Sequence, residues 1–254
     1  MHRTSSIDSD TNPRFRSWKR QIERGRKPRD ADLTLVAGDK IVREVLQGKP
    51  EVIRYLLNPR GLPLGDLQEI PQHIEIVHLA PSLFRELDIF GTRTPVLLVL
   101  PPPLEPWEPA SAADGAWLGI PFQDPSNVGA VIRSTAGLGA AGAVLLPGAA
   151  SPWHPKAIRA SAGAVFNVPM VRADTVPTAE DIPLVALDAG GMEICDYIFP
   201  ARFLLLAGVE GPGLPEGLEP TATLALPMTD RVESLNAMVA ASLALYEWRR
   251  RQVC

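Results

Sequence analysis

The stretch "DPSNVGAVIRSTAGLGAAGAVLLP", residues 124–147, contains a G-x-G-x-x-G at 137–142, and the order of what flanks it decides the fold. In a dinucleotide-binding turn the glycines follow a strand and open a helix, so that the helix N-terminus meets a pyrophosphate. Here that order is reversed. Upstream, Asp124 is placed to cap and Pro125 to open a helix over 125–136. Downstream, "AVLLP" (143–147) has the continuous apolar character of a buried parallel strand. The glycines therefore end a helix and enter a strand, with Gly137 and Gly139 as candidate left-handed C-cap residues. The nicotinamide or flavin reading is disfavoured on context.

Outward from this stretch, strand and helix patterns alternate. Residues 1–30 read as an arm with little apolar periodicity, and 31–92 as a small α/β domain. Within it, 33–38, 52–57 and 74–79 are strand-like, and 81–87 is a short helix. A helix over 39–48 is capped by Asp39, ended by Gly48, and apolar at 41, 42, 45 and 46. A second α/β run spans 93–254. It has a buried strand at 95–100, and then a proline-rich stretch that cannot continue a sheet. Strands follow at 116–120, 143–146, about 164–171, 183–187 and 203–207, with a short helix at 155–163. A last helix has Ser234 as its expected N-cap. Strands that are apolar throughout, alternating with helices, imply an α/β fold with a mostly parallel sheet and helices on both faces.

No segment approaches the ~20 apolar residues that span a bilayer. The first ten residues lack the apolar stretch of a secretory signal. Cys195 and Cys254 make neither a disulfide framework nor a metal cluster, so no metal and a reduced, cytoplasmic setting are expected. Net charge is −4, which gives no general reason to bind nucleic acid, but residues 14–29 hold eight Lys/Arg against one Glu. Interleaved with Phe15 and Trp18, this segment can attract phosphates and stack on bases. A solvated arm that only aids solubility fits it equally well.

Three stretches carry polar residues that a core does not require. Asn127 lies in the first turn of the 125–136 helix, and Arg133 lies mid-helix with Gly129 and Gly137 one turn away on either side. Such an arginine either snorkels to solvent or works at a site. The strand at 203–207 runs into a loop bearing Gly208, Glu210, Gly211 and Gly213, where an open α/β sheet binds ligands. Ser234, Leu235 and Asn236 open the last helix. Its Ala237, Ala240, Ala241 and Ala244 form a small-residue stripe that permits close packing within the fold or across a dimer.

In order and spacing, "DPSNVGAVIRSTAGLGA" (124–140), "LLLAGVEGPGL" (204–214) and "LPMTDRVESLNAMVAASLALYE" (226–247) resemble the three motifs of the SpoU/TrmH branch of the SPOUT methyltransferases. "VAGDKIVREVLQG" (36–48) is similar, less specifically, to the opening of the small substrate-binding domain that often precedes that catalytic domain. The resemblance implies a SPOUT catalytic domain over 93–254 with a deep trefoil knot, a homodimer, and S-adenosylmethionine as cofactor. It places Gly208, Leu226, Met228 and Leu235 in the adenosyl pocket. Asn127, Arg133, Glu210, Ser234 and Asn236 fall at the family's catalytic and substrate-orienting positions.

The implied reaction is methyl transfer to a ribose 2′-hydroxyl of structured RNA, ribosomal or transfer. Two rivals remain: a SPOUT enzyme that methylates a base, and a non-catalytic RNA-binding relative acting in assembly. The "SLN" at 234–236 favours ribose, and the intact set of polar residues favours an enzyme. Two departures bear on the RNA target: "AGDK" (37–40) where an acidic residue often precedes the glycine, and the basic arm outside the family core.

Overall fold

The computed structural model describes residues 3–23, 32–64, 70–208 and 219–253. Strand β1 (Thr4–Ile7) and helix α1 (Pro13–Glu23) come first, then β2 (Thr34–Val36), α2 (Asp39–Gly48), β3 (Ile53–Pro59), β4 (Glu75–Leu79), α3 (Pro81–Leu87) and β5 (Val96–Val99). The five strands form one sheet in the order β1-β4-β3-β5-β2. β1, β4 and β3 are mutually parallel, while β5 runs antiparallel to both neighbours.

Two expectations are corrected here. The first concerns the residues that read as an arm. Of these, Thr4–Glu23 supply an edge strand and a packed helix, and Phe15, Trp18 and Ile22 are buried in the core with Leu57, Val77 and Leu83. Trp18 packs on Tyr55 with ring centroids 4.9 Å apart, so neither aromatic is available to stack on a base. Spacings of three and four residues put all three on one helical stripe; the intervening cations hide that stripe. Residues 24–31, which include the remainder of the basic segment, lie outside the described residues. The second correction is β5. The sequence groups it with the run beginning at 93, but it pairs with β2 and β3. A continuously apolar strand needs cover on both faces, and nothing in its own sequence says which sheet supplies it.

The molecule divides into two compact units. Met1–Pro103 and Ser151–Phe166 make the first, Leu104–Ala150 and Asn167–Cys254 the second. Helix α5 (Pro155–Ala160) thus falls in the first unit, against β2.

The second unit is built on seven strands: β6 (Glu105–Pro106), β7 (Gly115–Ile120), β8 (Gly142–Leu145), β9 (Met170–Arg172), β10 (Leu184–Glu193), β11 (Arg202–Ala207) and β12 (Ala222–Ala225). Their order is β12-β10-β11-β7-β8-β9-β6, and every pairing is parallel. Helix α4 (Pro125–Leu138) links β7 to β8 and packs against α6 (Ala237–Val253), which lies on β11 and β7. The opposite face is covered by Trp107, Ala112 and Ile182 from loops, so helices on both faces hold only in part.

The expected cap of α4 is present: the Asp124 carboxylate accepts from the Ser126 N–H at 2.6 Å, with Pro125 as the first helical residue. Gly139 ends the helix in the left-handed region at φ 70°. Gly137 stays inside the helix. α6 begins later than expected, because Asn236, not Ser234, caps it. The Asn236 Oδ1 accepts from the N–H groups of Met238 and Val239. Ala241 and Ala244 are fully buried within the chain, so half of the alanine stripe serves the packing of α6 on α4 and the sheet. A knot is a property of the whole chain path. Residues 209–218, between β11 and β12 in the sequence, lie outside the described residues.

Candidate functional site

The chain visits β10, then β11 on one side of it, then β12 on the other. Ligands in open parallel sheets bind beyond the carboxyl ends of strands at such reversals. A cavity of about 500 Å³ lies there, within the range of small-ligand sites. The ends of β11 and β12 supply Ala207, Gly208 and Leu224, and the coil from 226 to 236 closes the far wall.

All four residues assigned to the adenosyl pocket, Gly208, Leu226, Met228 and Leu235, line this cavity, as do Ser234 and Asn236. They come from two sequence stretches some twenty residues apart, brought together because β11 and β12 flank β10. The walls are leucine, alanine and methionine, with hydroxyl, amide and carboxylate groups at a few points. An apolar slot with sparse polar contacts suits a flat aromatic base joined to a polar sugar. The described residues therefore fit an adenosyl group by volume and by chemistry.

Glu210 lies outside the described residues. Asn127 and Arg133, both on α4, are not among the described residues lining the cavity. The buried face of α4 carries Val128, Val131 and Ile132, which leaves the Arg133 side chain exposed, without a hydrogen bond or ion pair to another described residue. At the next residue, the Ser134 hydroxyl accepts from the Ser242 hydroxyl at 2.8 Å, tying α4 to α6.

Sequence reading missed Leu187, Asp188 and Ala189, which form the β10 side of the cavity. "LDAGG" (187–191) reads as the end of a strand and a turn. The signal that could have found it is the placement of an acidic residue directly after an apolar strand.

The cavity itself carries no name, but comparison with known proteins does. Residues 120–246 match the model described as the SpoU rRNA Methylase family. The chain is 41% identical over 251 residues to "Ribosomal RNA small subunit methyltransferase G 2" of Syntrophobacter fumaroxidans; the match covers 98% of this chain and 50% of that protein. This chain thus spans about half the length of that relative. It is 29% identical to the "23S rRNA (uridine(2479)-2'-O)-methyltransferase" of Streptomyces viridochromogenes, over 95% of this chain and 91% of the relative. Among solved structures, the SpoU methyltransferase AviRb from Streptomyces viridochromogenes, in complex with AdoMet, superposes with a TM-score of 0.78. It shows 27% identity and covers 95% of this chain and 98% of that one.

Proposed function

The chain belongs to the SpoU rRNA methylase family, and from that premise we propose that it methylates a ribose 2′-hydroxyl of structured RNA, ribosomal or transfer, with S-adenosylmethionine as donor. The observation that carries this reading is the single cavity holding Gly208, Leu226, Met228, Ser234, Leu235 and Asn236, residues drawn from separate motifs. Two findings support it: a relative named a 2′-O-methyltransferase and a solved structure described with AdoMet bound, both from Streptomyces viridochromogenes.

Bound there, S-adenosylmethionine supplies an electrophilic methyl group. Holding the acceptor oxygen in line with it lowers the barrier by several kcal/mol through orientation alone. Leu226, Leu235 and the Gly208 backbone hold the adenosyl group. Ser234 and Asn236, both on the cavity wall, orient the ribose or Arg133, with the Asn236 Oδ1 held by its two cap hydrogen bonds. Arg133 grips the phosphate next to the reacting ribose and stabilises the alkoxide that develops as the hydroxyl proton leaves to water. A guanidinium holds its proton too firmly to act as a base. Glu210 orders the cofactor loop.

The experiment is a calorimetric titration with S-adenosylhomocysteine and NAD, followed by mapping of 2′-O-methyl sites in RNA from cells with and without the gene. One S-adenosylhomocysteine bound per chain, no NAD, and one ribose site lost with the gene is the expected result. Tight NAD binding with no response to S-adenosylhomocysteine overturns the reading.

The partners follow from the same proposal. Val239, Leu243 and Tyr246 lie one and two turns apart on the exposed side of α6. We assign this apolar strip to a homodimer interface of a knotted, cytoplasmic enzyme. Leu243→Arg should give a folded monomer in sedimentation, whereas a wild-type monomer at micromolar concentration removes the assignment. On α1, Arg16 and Arg20 are exposed on the face away from Phe15 and Trp18. This face attracts RNA phosphates without reading sequence. Replacing both arginines by Gln should weaken RNA binding and reduce the slope of log K against log salt by about 1–2, as fewer counterions are released. A moved methylation site with an unchanged slope would make α1 a specificity element instead.

A further inference from the structure

Asp188 is the one formal charge among the described residues that line the cavity, and none of the three motifs contains it. It stands where β10 leaves the sheet. Leu187 and Met192 both pair with Leu224, so residues 188–191 are looped out between them. Gly191 lets this loop press on β12, since a Cβ there would lie 2.6 Å from the Thr223 carbonyl carbon. The Gly190 N–H donates to Asp188 Oδ1 at 2.9 Å and so orients the carboxylate. Oδ2 has no hydrogen-bond partner among the described residues. The other polar side chains on the wall are Ser234 and Asn236, and the Asn236 oxygen is engaged in capping α6.

We propose that Asp188 accepts hydrogen bonds from the ribose hydroxyls of the adenosyl cofactor and is a binding determinant of this site. The proposal rests on the S-adenosylmethionine reading above. An adenosyl ligand presents an aromatic base, a pair of adjacent hydroxyl donors, and a charged tail. The leucines and alanines of the wall serve the base. The hydroxyls need an acceptor, and an oriented carboxylate just beyond a parallel strand reads ribose hydroxyls in other open α/β sheets. Attraction to the sulfonium charge is the alternative use of the same carboxylate. Asp188 is exposed, and water and salt screen a bare charge–charge attraction there. A directed, charge-assisted hydrogen bond survives that exposure better.

Calorimetry on the full chain separates the cases. Asp188→Ala should weaken S-adenosylmethionine and S-adenosylhomocysteine by the same factor, about tenfold, as expected for loss of a hydrogen bond to a charged group. Asp188→Asn keeps an oxygen for the Gly190 N–H, so the turn survives; it should still bind both ligands at least about threefold more weakly, because one acceptor is gone. In competition, wild type should prefer adenosine to 2′,3′-dideoxyadenosine, and Asp188→Ala should lose that preference. A loss confined to S-adenosylmethionine makes the contact one with the sulfonium and overturns the ribose assignment. Unchanged affinities in both variants reduce Asp188 to a turn residue. Failure of the wild type itself to bind S-adenosylhomocysteine overturns the cofactor reading instead.

Discussion

Arg133→Lys should fold like the wild type, bind S-adenosylmethionine within a few-fold of it, and lose methyl transfer by on the order of 10²-fold or more, the scale of removing a preorganised transition-state donor. The structure separates the two halves of this result. Arg133 is exposed on α4 and bonds to no other described side chain, so replacing it disturbs no packing. Surface changes of that kind stay within about 0.5 kcal/mol, and Lys and Ala are both good helix formers. It is not among the described residues lining the cavity, so cofactor affinity should hold. Only the gripping of a phosphate and a developing alkoxide together distinguishes the two cations. A planar fork of donors does both at fixed angles, and a point charge on a flexible stem does not. Arg133→Ala should therefore be no more active than Arg133→Lys. The measurement is single-turnover transfer of labelled methyl to RNA from cells lacking the gene, at saturating cofactor. Near-wild-type turnover in Arg133→Lys would return the residue to a snorkelling surface role.

How much of this site is legible in the sequence depends on whether a residue's neighbours in space are also its neighbours along the chain. Gly208, Leu226, Met228 and Leu235 are legible because the motifs that hold them are contiguous stretches, and the structure places all four on one cavity. Asp188 is not. Its role depends on β10 pairing with both β11 and β12, a tertiary fact, and on a four-residue loop that strand periodicity does not announce. The cap of α6 illustrates a smaller limit. Ser234 and Asn236 are equally good capping types, and the choice of Asn236 follows from where the coil over the cavity releases the chain. α1 shows composition overriding periodicity. A segment so rich in Arg and Lys reads as solvated, yet Phe15, Trp18 and Ile22 at helical spacing anchor it in the core. The two aromatics that resemble base-stacking groups are instead what holds the cations in place on the other face.

The three glycines of the G-x-G-x-x-G should answer substitution by alanine with different signs, and none should change cofactor affinity. Gly137 is an exposed helical residue, and a Cβ added there would meet nothing within 4 Å. Alanine at this position should stabilise the fold by about 0.5–1 kcal/mol, since glycine carries the larger entropy cost in a helix. Gly139 caps the helix at φ 70°, with its N–H turned back to Ala136 and Thr135. Alanine there should cost about 1 kcal/mol, the penalty of a left-handed Cβ. Gly142 has ordinary backbone angles but no room. It pairs with Trp117 across β7 and β8, and a Cβ would lie 2.5 Å from the Trp117 ring and 2.8 Å from the Pro169 carbonyl oxygen. The indole cannot swing away freely, because its N–H donates to the Ala113 carbonyl at 3.0 Å. Backbone on one side and a pinned ring on the other make Gly142→Ala the costly change, about 3 kcal/mol by the scale of overpacked cores. Chemical denaturation of the three variants, with S-adenosylhomocysteine titrations alongside, gives the order. If the glycines cradled a dinucleotide, all three alanines would weaken ligand binding and Gly137→Ala would bring no gain in stability. The expected pattern ties each glycine to its own part of a helix-to-strand turn: a tolerated helical position, a cap, and a close approach of two strands beneath Trp117.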